Sequence, residues 1–398
     1  VVPSDVPRVE NPDVPAEDLA SLARNNARFA LDLGRALQSS DDNLVYSPFS
    51  ISTALAMTYA GARTTTEEAM AEAMRFELPQ ARLHPAFNAV DLELQKRARD
   101  SGGTEGGGFR LHTANGIWAR DSGMEPPFLK VLSEHYGAHV RLANFDSAEE
   151  GADLINKWVS HHTEGKIPDL LPSAPMLETH YVLVNAIYFD AAWRTPFEEE
   201  ATKPGTFRRG NGTSVTVPMM RGTQETRHGA GDGWEAVEIP YAGTPVSMFL
   251  VLPAEGTADA FMESLDGAAL EEIIASMLER SVDITLPKFS FSSSPVLEPP
   301  LSDLGMEIAF TPGADFSGIT GGPGIYIQGV IHQAFIGVDE AGTEAAAATA
   351  VVLGSAGVGT FHEPAAIVLD RPFFFFISDV PTGALLFAGR VNDPTKTQ

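Results

Sequence analysis

The polar residues that could carry chemistry in this chain do not assemble into a catalytic pattern. His161 and His162 stand beside Glu164, but side chains adjacent on a helix diverge by about 100° and do not close on one ion, so surface histidines are the expectation. Asp315, Ser317 and His332 are the residue types of a hydrolase triad. No Gly-x-Ser-x-Gly elbow and no Ser-x-x-Lys pair accompanies them, which argues against a hydrolase. Cysteine is absent, which removes a thiolate nucleophile, a thiolate metal site and a disulfide frame. Asn211-Gly-Thr fits a glycan acceptor and equally a plain turn. The expectation is therefore no enzyme, no cofactor and no metal.

A different property stands out between Val338 and Leu353. The stretch has four consecutive alanines, then Thr349, Ala350, Val351, Val352 and Leu353, too apolar for a solvated connection and without a helical stripe. As a strand of period two it sorts into two faces. Thr343, Ala345, Ala347, Thr349, Val351 and Leu353 share one face, all uncharged, while Glu344, Ala346, Ala348, Ala350 and Val352 share the other. A segment with small side chains where a loop has turn formers, and with one face fit for burial, can be a loop in one state and a sheet strand in another. That is the behaviour of a switch.

The elements that must hold such a switch are legible along the chain. Its 398 residues bury a substantial core, and the formal charge of −26, spread rather than blocked, argues against nucleic acid and anionic membrane surfaces. No run of about 18 apolar residues spans a membrane as a helix. The first residue, Val1, is not a methionine, which suggests a processed chain. Residues 1–17, with four prolines among acids, read as an extended tether, and 18–398 as one large mixed domain. Leu19 to Leu37 reads as an amphipathic helix. Ser47-Pro48 opens a capped one, Thr64 to Met74 makes a further capped helix, and Phe261 to Met277 another. Tyr181 to Phe189 reads as a strand buried on both faces, and Trp234 to Leu252 as a hairpin. The Phe373 to Phe376 run belongs to the core.

The switch stretch resembles the hinge of the serpins, the serine protease inhibitor family. The match is Glu340, Gly342, Thr343, Glu344, the run Ala345, Ala346, Ala347, Ala348, and Thr349. Asn43, Ser47, Pro48, Ser50, Ile51, Ala54, Met57 and Gly61 follow the family pattern, with Arg63 departing from it, as do Leu111 to Trp118, Trp193-Arg-Thr-Pro-Phe, Leu286-Pro-Lys-Phe and the closing Leu386 to Pro394. The resemblance implies an α+β serpin fold, a large domain with about nine helices and a central β-sheet that accepts the reactive loop, about 340–365, as an extra strand. It places Ser47, Ser50, Asn185 and His332 in a hydrogen-bonded cluster beneath that sheet, and Glu340 with Lys288 beside Trp193 at its top.

The resemblance also implies an activity. A serine protease cuts the loop, and the cut segment inserts and traps the enzyme as a covalent acyl complex; a serpin fold used for binding or carriage is the alternative. An inserted strand must span the molecule. A chain of this length has a radius of gyration of about 21 Å and a diameter of roughly 55 Å, hence about sixteen extended steps. Sixteen steps from Glu340 reach Ala356 and the Ala356–Gly357 bond, in agreement with the family's usual spacing, whereas counting back from Arg371-Pro-Phe gives Phe361–His362. The forward count is preferred, because extra residues fit beyond the cut, where no strand length is imposed. Alanine before the bond suits a small apolar specificity pocket, as in elastase-like or subtilisin-like enzymes. A monomer is expected, with loop-sheet polymers as its mode of self-association. An extracellular or cell-envelope location follows from the resemblance and from Val1.

Overall fold

Twelve residues from Tyr181 to Ala192 form the strand on which the first sheet is built, buried at every position but the first. A computed structural model of the chain describes residues 6–38, 42–100, 109–120, 123–143, 145, 148–171, 181–343 and 364–396. The first sheet runs in the order β10 (Phe289–Ser293), β11 (Val330–Val338), β12 (Gly342–Thr343), β4 (Tyr181–Ala192), β2 (Arg110–Ala119) and β3 (Val140–Leu142). The second runs β1 (Leu44–Tyr46), β15 (Ala384–Val391), β14 (Phe373–Asp379), β8 (Val246–Pro253), β7 (Trp234–Pro240), β6 (Ser214–Gly231), β9 (Leu278–Pro287) and β13 (Ala365–Val368), with β5 (Lys203–Arg208) also on β6.

Among the described residues the α-helices are α1 (Ala16–Leu37), α2 (Pro48–Tyr59), α3 (Thr64–Ala73), α4 (Gln80–Asp100), α5 (Pro126–Tyr136), α6 (Ala148–His162), α7 (Ala258–Ser264), α8 (Gly267–Ser276) and the single turns α9 (Glu298–Leu301) and α10 (Ser317–Thr320). The α+β architecture and the central mixed sheet expected from the resemblance are present.

The period of β4 explains its double burial. Leu183, Ile187 and Phe189 face the main core with α1, α2 and the second sheet, while Val182, Val184 and Ala186 face a smaller core with Ile155 and Val159 of α6. Asn185 has the parity of Leu183 and Ile187, which turns it toward α2. The N-terminus of α2 is built as its residues dictate: Ser47 Oγ accepts from the Ser50 N–H at 3.2 Å, and Pro48 occupies the first turn, where its missing N–H costs nothing.

Three local readings differ from the structure. The stretch Phe261–Met277 is two helices rather than one, because the chain breaks at Leu265 and Asp266 restarts it as a side-chain cap on the Ala269 N–H at 2.8 Å. Helix α3 carries no side-chain cap; Thr64 has φ 54° and gives its hydroxyl to Asp315 at 3.0 Å instead. The proline-rich segment ahead of α1 is fastened to the body from Arg8 onward. Arg8 bonds Asn88 at 2.8 Å and Asp91 at 2.5 Å, and the Val9 N–H donates to the Glu134 carbonyl at 2.9 Å, so this part of the expected tether lies against α4 and α5.

Candidate functional site

The chain leaves β11 through a turn that its own side chain builds. Asp339 Oδ1 accepts from the N–H groups of Ala341 at 2.9 Å and Gly342 at 3.2 Å, and the Asp339 N–H donates to the Gly342 carbonyl at 3.0 Å. This reversal sends Gly342 and Thr343 back between β11 and β4, antiparallel to both, with Thr343 opposite Val338 on one side and Ala191 on the other. Thr343 is 1% exposed, and its hydroxyl lies 2.7 Å from that of Tyr241. Thr343 is thus already seated beside β4 as the first step of an added strand.

Trp193 and Glu340 hold this entrance. The Trp193 indole stacks on Tyr241 at 4.7 Å, donates from Nε1 to the Asp339 carbonyl at 2.9 Å, and its main-chain N–H donates to the Ala341 carbonyl at 2.9 Å. Glu340 receives Lys288 Nζ at 2.5 Å and the Thr202 hydroxyl at 2.7 Å. Burial pushes its carboxyl up, but the hydrogen bonds from Lys288 and Thr202 outweigh this and the net shift is down. Lys288 is 38% exposed, so the ion pair itself contributes under about 1 kcal/mol. The resemblance identified Lys288, Trp193 and Glu340; Thr202 and Tyr241 went unnoticed, since nothing in their local sequence marks them.

Below the entrance the two flanking strands close on each other. β11 pairs directly with β4 in parallel, Val330 to Ala334 against Leu183 to Ile187, so no strand stands between them there. Across this seam His332 Nδ1 meets Asn185 Oδ1 at 2.5 Å, and His332 Nε2 accepts from the Ser47 N–H at 3.1 Å. A main-chain N–H only donates, so Nε2 carries no proton and Nδ1–H is the donor to Asn185. Complete burial pushes the His332 pKa down to about 3. Asn185 Nδ2 donates to Ser50 Oγ and to Asn115 Oδ1, both at 2.5 Å, while Ser50 Oγ donates to Asn115 Oδ1 at 3.1 Å and Ser47 Oγ to the Leu386 carbonyl at 2.6 Å. All four cluster residues named from sequence are thus brought together. Asn115 is a fifth member that its local sequence, with His112 and Thr113 also polar, does not mark.

The expected hinge positions Glu344, Ala345, Ala346, Ala347, Ala348 and Thr349, and the expected bond positions Ala356, Gly357, Phe361 and His362, lie outside the described residues. What is described is where that segment is attached: Thr343 in the first sheet, and Ala365 to Val368 parallel to β9 in the second. The triad types are not assembled, because Asp315 accepts from the Ser317 N–H at 3.1 Å and from Thr64, while both His332 ring nitrogens are committed to the seam.

Comparison with known proteins matches this geometry. Residues 24–394 fit the family model described as serpin (serine protease inhibitor). An uncharacterized serpin-like protein of Thermococcus kodakarensis is 38% identical, covering 92% of this chain and 84% of its own. The leukocyte elastase inhibitor of Sus scrofa is 36% identical, covering 94% and 100%. Among solved structures, the thermophilic serpin tengpin in its native state superimposes with a TM-score of 0.84 at 28% identity over 98% of this chain and 97% of its own. Human thyroxine-binding globulin gives 0.83 at 28% identity over 95% and 100%. With a family model spanning nearly the whole chain and relatives of this identity, the chain belongs to the serpin family.

Proposed function

We propose that this protein is a suicide-substrate inhibitor of serine proteases of the elastase-like or subtilisin-like kind. The observation that carries the reading is the seated pair Gly342–Thr343, aligned antiparallel to β4 and β11 directly above a seam where those two strands still pair with each other. A strand that continued downward from Thr343 would replace the β4–β11 pairing with pairing on both of its own edges. Its inward positions would be Ala345, Ala347 and Thr349, small enough to pass over the Ser47–Ser50–Asn185–His332 cluster. Continuation is held back because the far end of the segment is anchored through β13 in the other sheet.

Cleavage removes that restraint. The serine Oγ of the protease attacks the Ala356 carbonyl carbon, the C–N bond to Gly357 breaks, and the enzyme's histidine delivers a proton to the departing Gly357 amine. The ester left on Ala356 travels with the strand as it inserts, ahead of the water that would hydrolyse it. The absence of Arg and Lys between Glu344 and Asp370 disfavours trypsin-like targets, and the elastase inhibitor among the relatives supports the same pocket class.

The test is incubation with elastase, subtilisin and trypsin, followed by denaturing electrophoresis and mass spectrometry. A complex that survives denaturant, with a released fragment beginning at Gly357, is expected for elastase or subtilisin; a fragment beginning at His362 moves the bond to Phe361. Turnover without complex across the whole panel refutes inhibition and favours a serpin fold used for binding or carriage.

A further inference from the structure

A cavity of about 240 Å³ lies where β2 and β3 meet α2, α4, α5 and α6, away from the hinge entrance. Its charges do not balance. Arg8 and Asp91 neutralise each other at 2.5 Å. Arg141, on the central residue of β3, lines the same space and makes no ion pair or hydrogen bond among the described residues. Its guanidinium carbon lies instead 5.0 Å from the ring centre of Trp158 and 5.9 Å from that of Trp118. Burial holds its pKa below the ordinary arginine value, and no neighbouring carboxylate offsets that. In a chain of net charge −26, a partly buried cation without an acid beside it is the feature to explain.

The chemistry of the wall specifies what would complete it. A guanidinium held against two indoles keeps its in-plane N–H fork free, and that fork matches an oxyanion with two acceptor atoms. Asn115 also lines the cavity; its Oδ1 is taken by Ser50 and Asn185, which leaves Nδ2 as a further donor. Trp158, Tyr136 and Met57 supply apolar wall. The volume corresponds to roughly eight waters, more than a bare ion needs.

We propose that this cavity binds a small oxyanion carried on a flat apolar group, an aromatic carboxylate being the best fit, with Arg141 as the bidentate partner and Asn115 as the second donor. The site shares Asn115 with the cluster at the seam but involves neither the hinge entrance nor the loop, and the proposal does not depend on protease inhibition.

The experiment uses the full uncleaved chain with benzoate, inorganic phosphate and benzylamine as probes, read by calorimetry and tryptophan fluorescence. Saturable benzoate binding with a fluorescence change, no benzylamine binding, and weakening of benzoate by about tenfold or more in Arg141→Gln are expected, since one charge-assisted bidentate contact is removed. Phosphate binding as tightly as benzoate, with the same dependence on Arg141, supports the oxyanion site and assigns a free phosphate-type anion as its occupant. If Arg141→Gln does not fold, Arg141→Lys retains the charge but loses the planar fork and is expected to weaken benzoate severalfold. No saturable binding of either anion, or equal affinity in the parent and a folded Arg141 variant, overturns the proposal.

Discussion

Acid should weaken this protein through two histidines that fold in the neutral form. His332 is 1% exposed with Nε2 facing a main-chain N–H, and His84 is 3% exposed with Nδ1 against the Tyr136 hydroxyl at 2.7 Å; burial pushes each pKa down to about 3. In the unfolded chain each returns to about 6.5. A histidine with a depressed folded pKa leaves stability intact above the unfolded value and removes it as pH falls from there toward 3, because the unfolded chain then binds the extra proton. Between pH 7 and pH 5 the loss is about 2 kcal/mol for each histidine, hence about 4 kcal/mol together, and unfolding at pH 5 takes up about two protons through these residues.

His112 and His135, half-buried, shift in the same direction, while the carboxyls of Asp315, Glu340 and Asp393, held low, enter only below about pH 5. Imidazole NMR of histidine-labelled protein from pH 8 to pH 4 should show two rings that do not titrate. His332→Asn should remove one of those signals and lower the proton uptake on unfolding by about one. Titration of both rings between pH 6 and 7 would refute the reasoning, since it would mean that neither site excludes the imidazolium.

Three further outcomes follow from the hinge. Under the proposed insertion, Thr343→Arg must place a charge in a site 1% exposed, and Ala347→Pro deletes a ladder donor from the strand that would form; both variants should be cut as ordinary substrates with little complex, whereas Ala346→Glu, on the opposite parity of that strand, should be milder, and parental complex yield in all three would sink strand insertion. Under the proposed insertion, cleaved protein should melt at a higher temperature than intact protein, because it would gain sheet pairing and burial, and a thermal scan after limited proteolysis reading an unchanged or lower midpoint would contradict this. Lys288→Ala should cost under about 1 kcal/mol in chemical unfolding, and Glu340→Ala more, since it also strands the Thr202 hydroxyl; the reverse order would show that Glu340 is not the hub of the entrance.

Local patterns were readable wherever the determining physics is local. The Ser47-Pro48 start of α2, the two-face burial of β4 and the buried phenylalanines of β14 follow from capping geometry and period alone. The break between α7 and α8 is not legible in the sequence, because the apolar pattern continues across it and only the fold shows Asp266 acting as a cap. Arg8 reads as part of a tether because its partners Asn88 and Asp91 are some eighty residues away, and no feature of residues 1–17 reports them.

By itself the sequence determined that Val338 to Leu353 sorts into two faces at period two with small side chains, which is a property of the chain alone. The resemblance to the serpin family, rather than any spacing, named Ser47, Ser50, Asn185 and His332 as a cluster and left out Asn115. Only the tertiary structure decided where the described end of that stretch sits. Thr343 is seated, and β4 and β11 still pair below it. That outcome is a competition between two pairings for the same strand edges, one local to the Asp339 turn and the other between residues nearly 150 positions apart. Long-range pairing is set by what the rest of the fold brings to that edge, including Tyr241 beneath Thr343 and Asn115 beside Asn185. Neither partner is encoded within the stretch it controls.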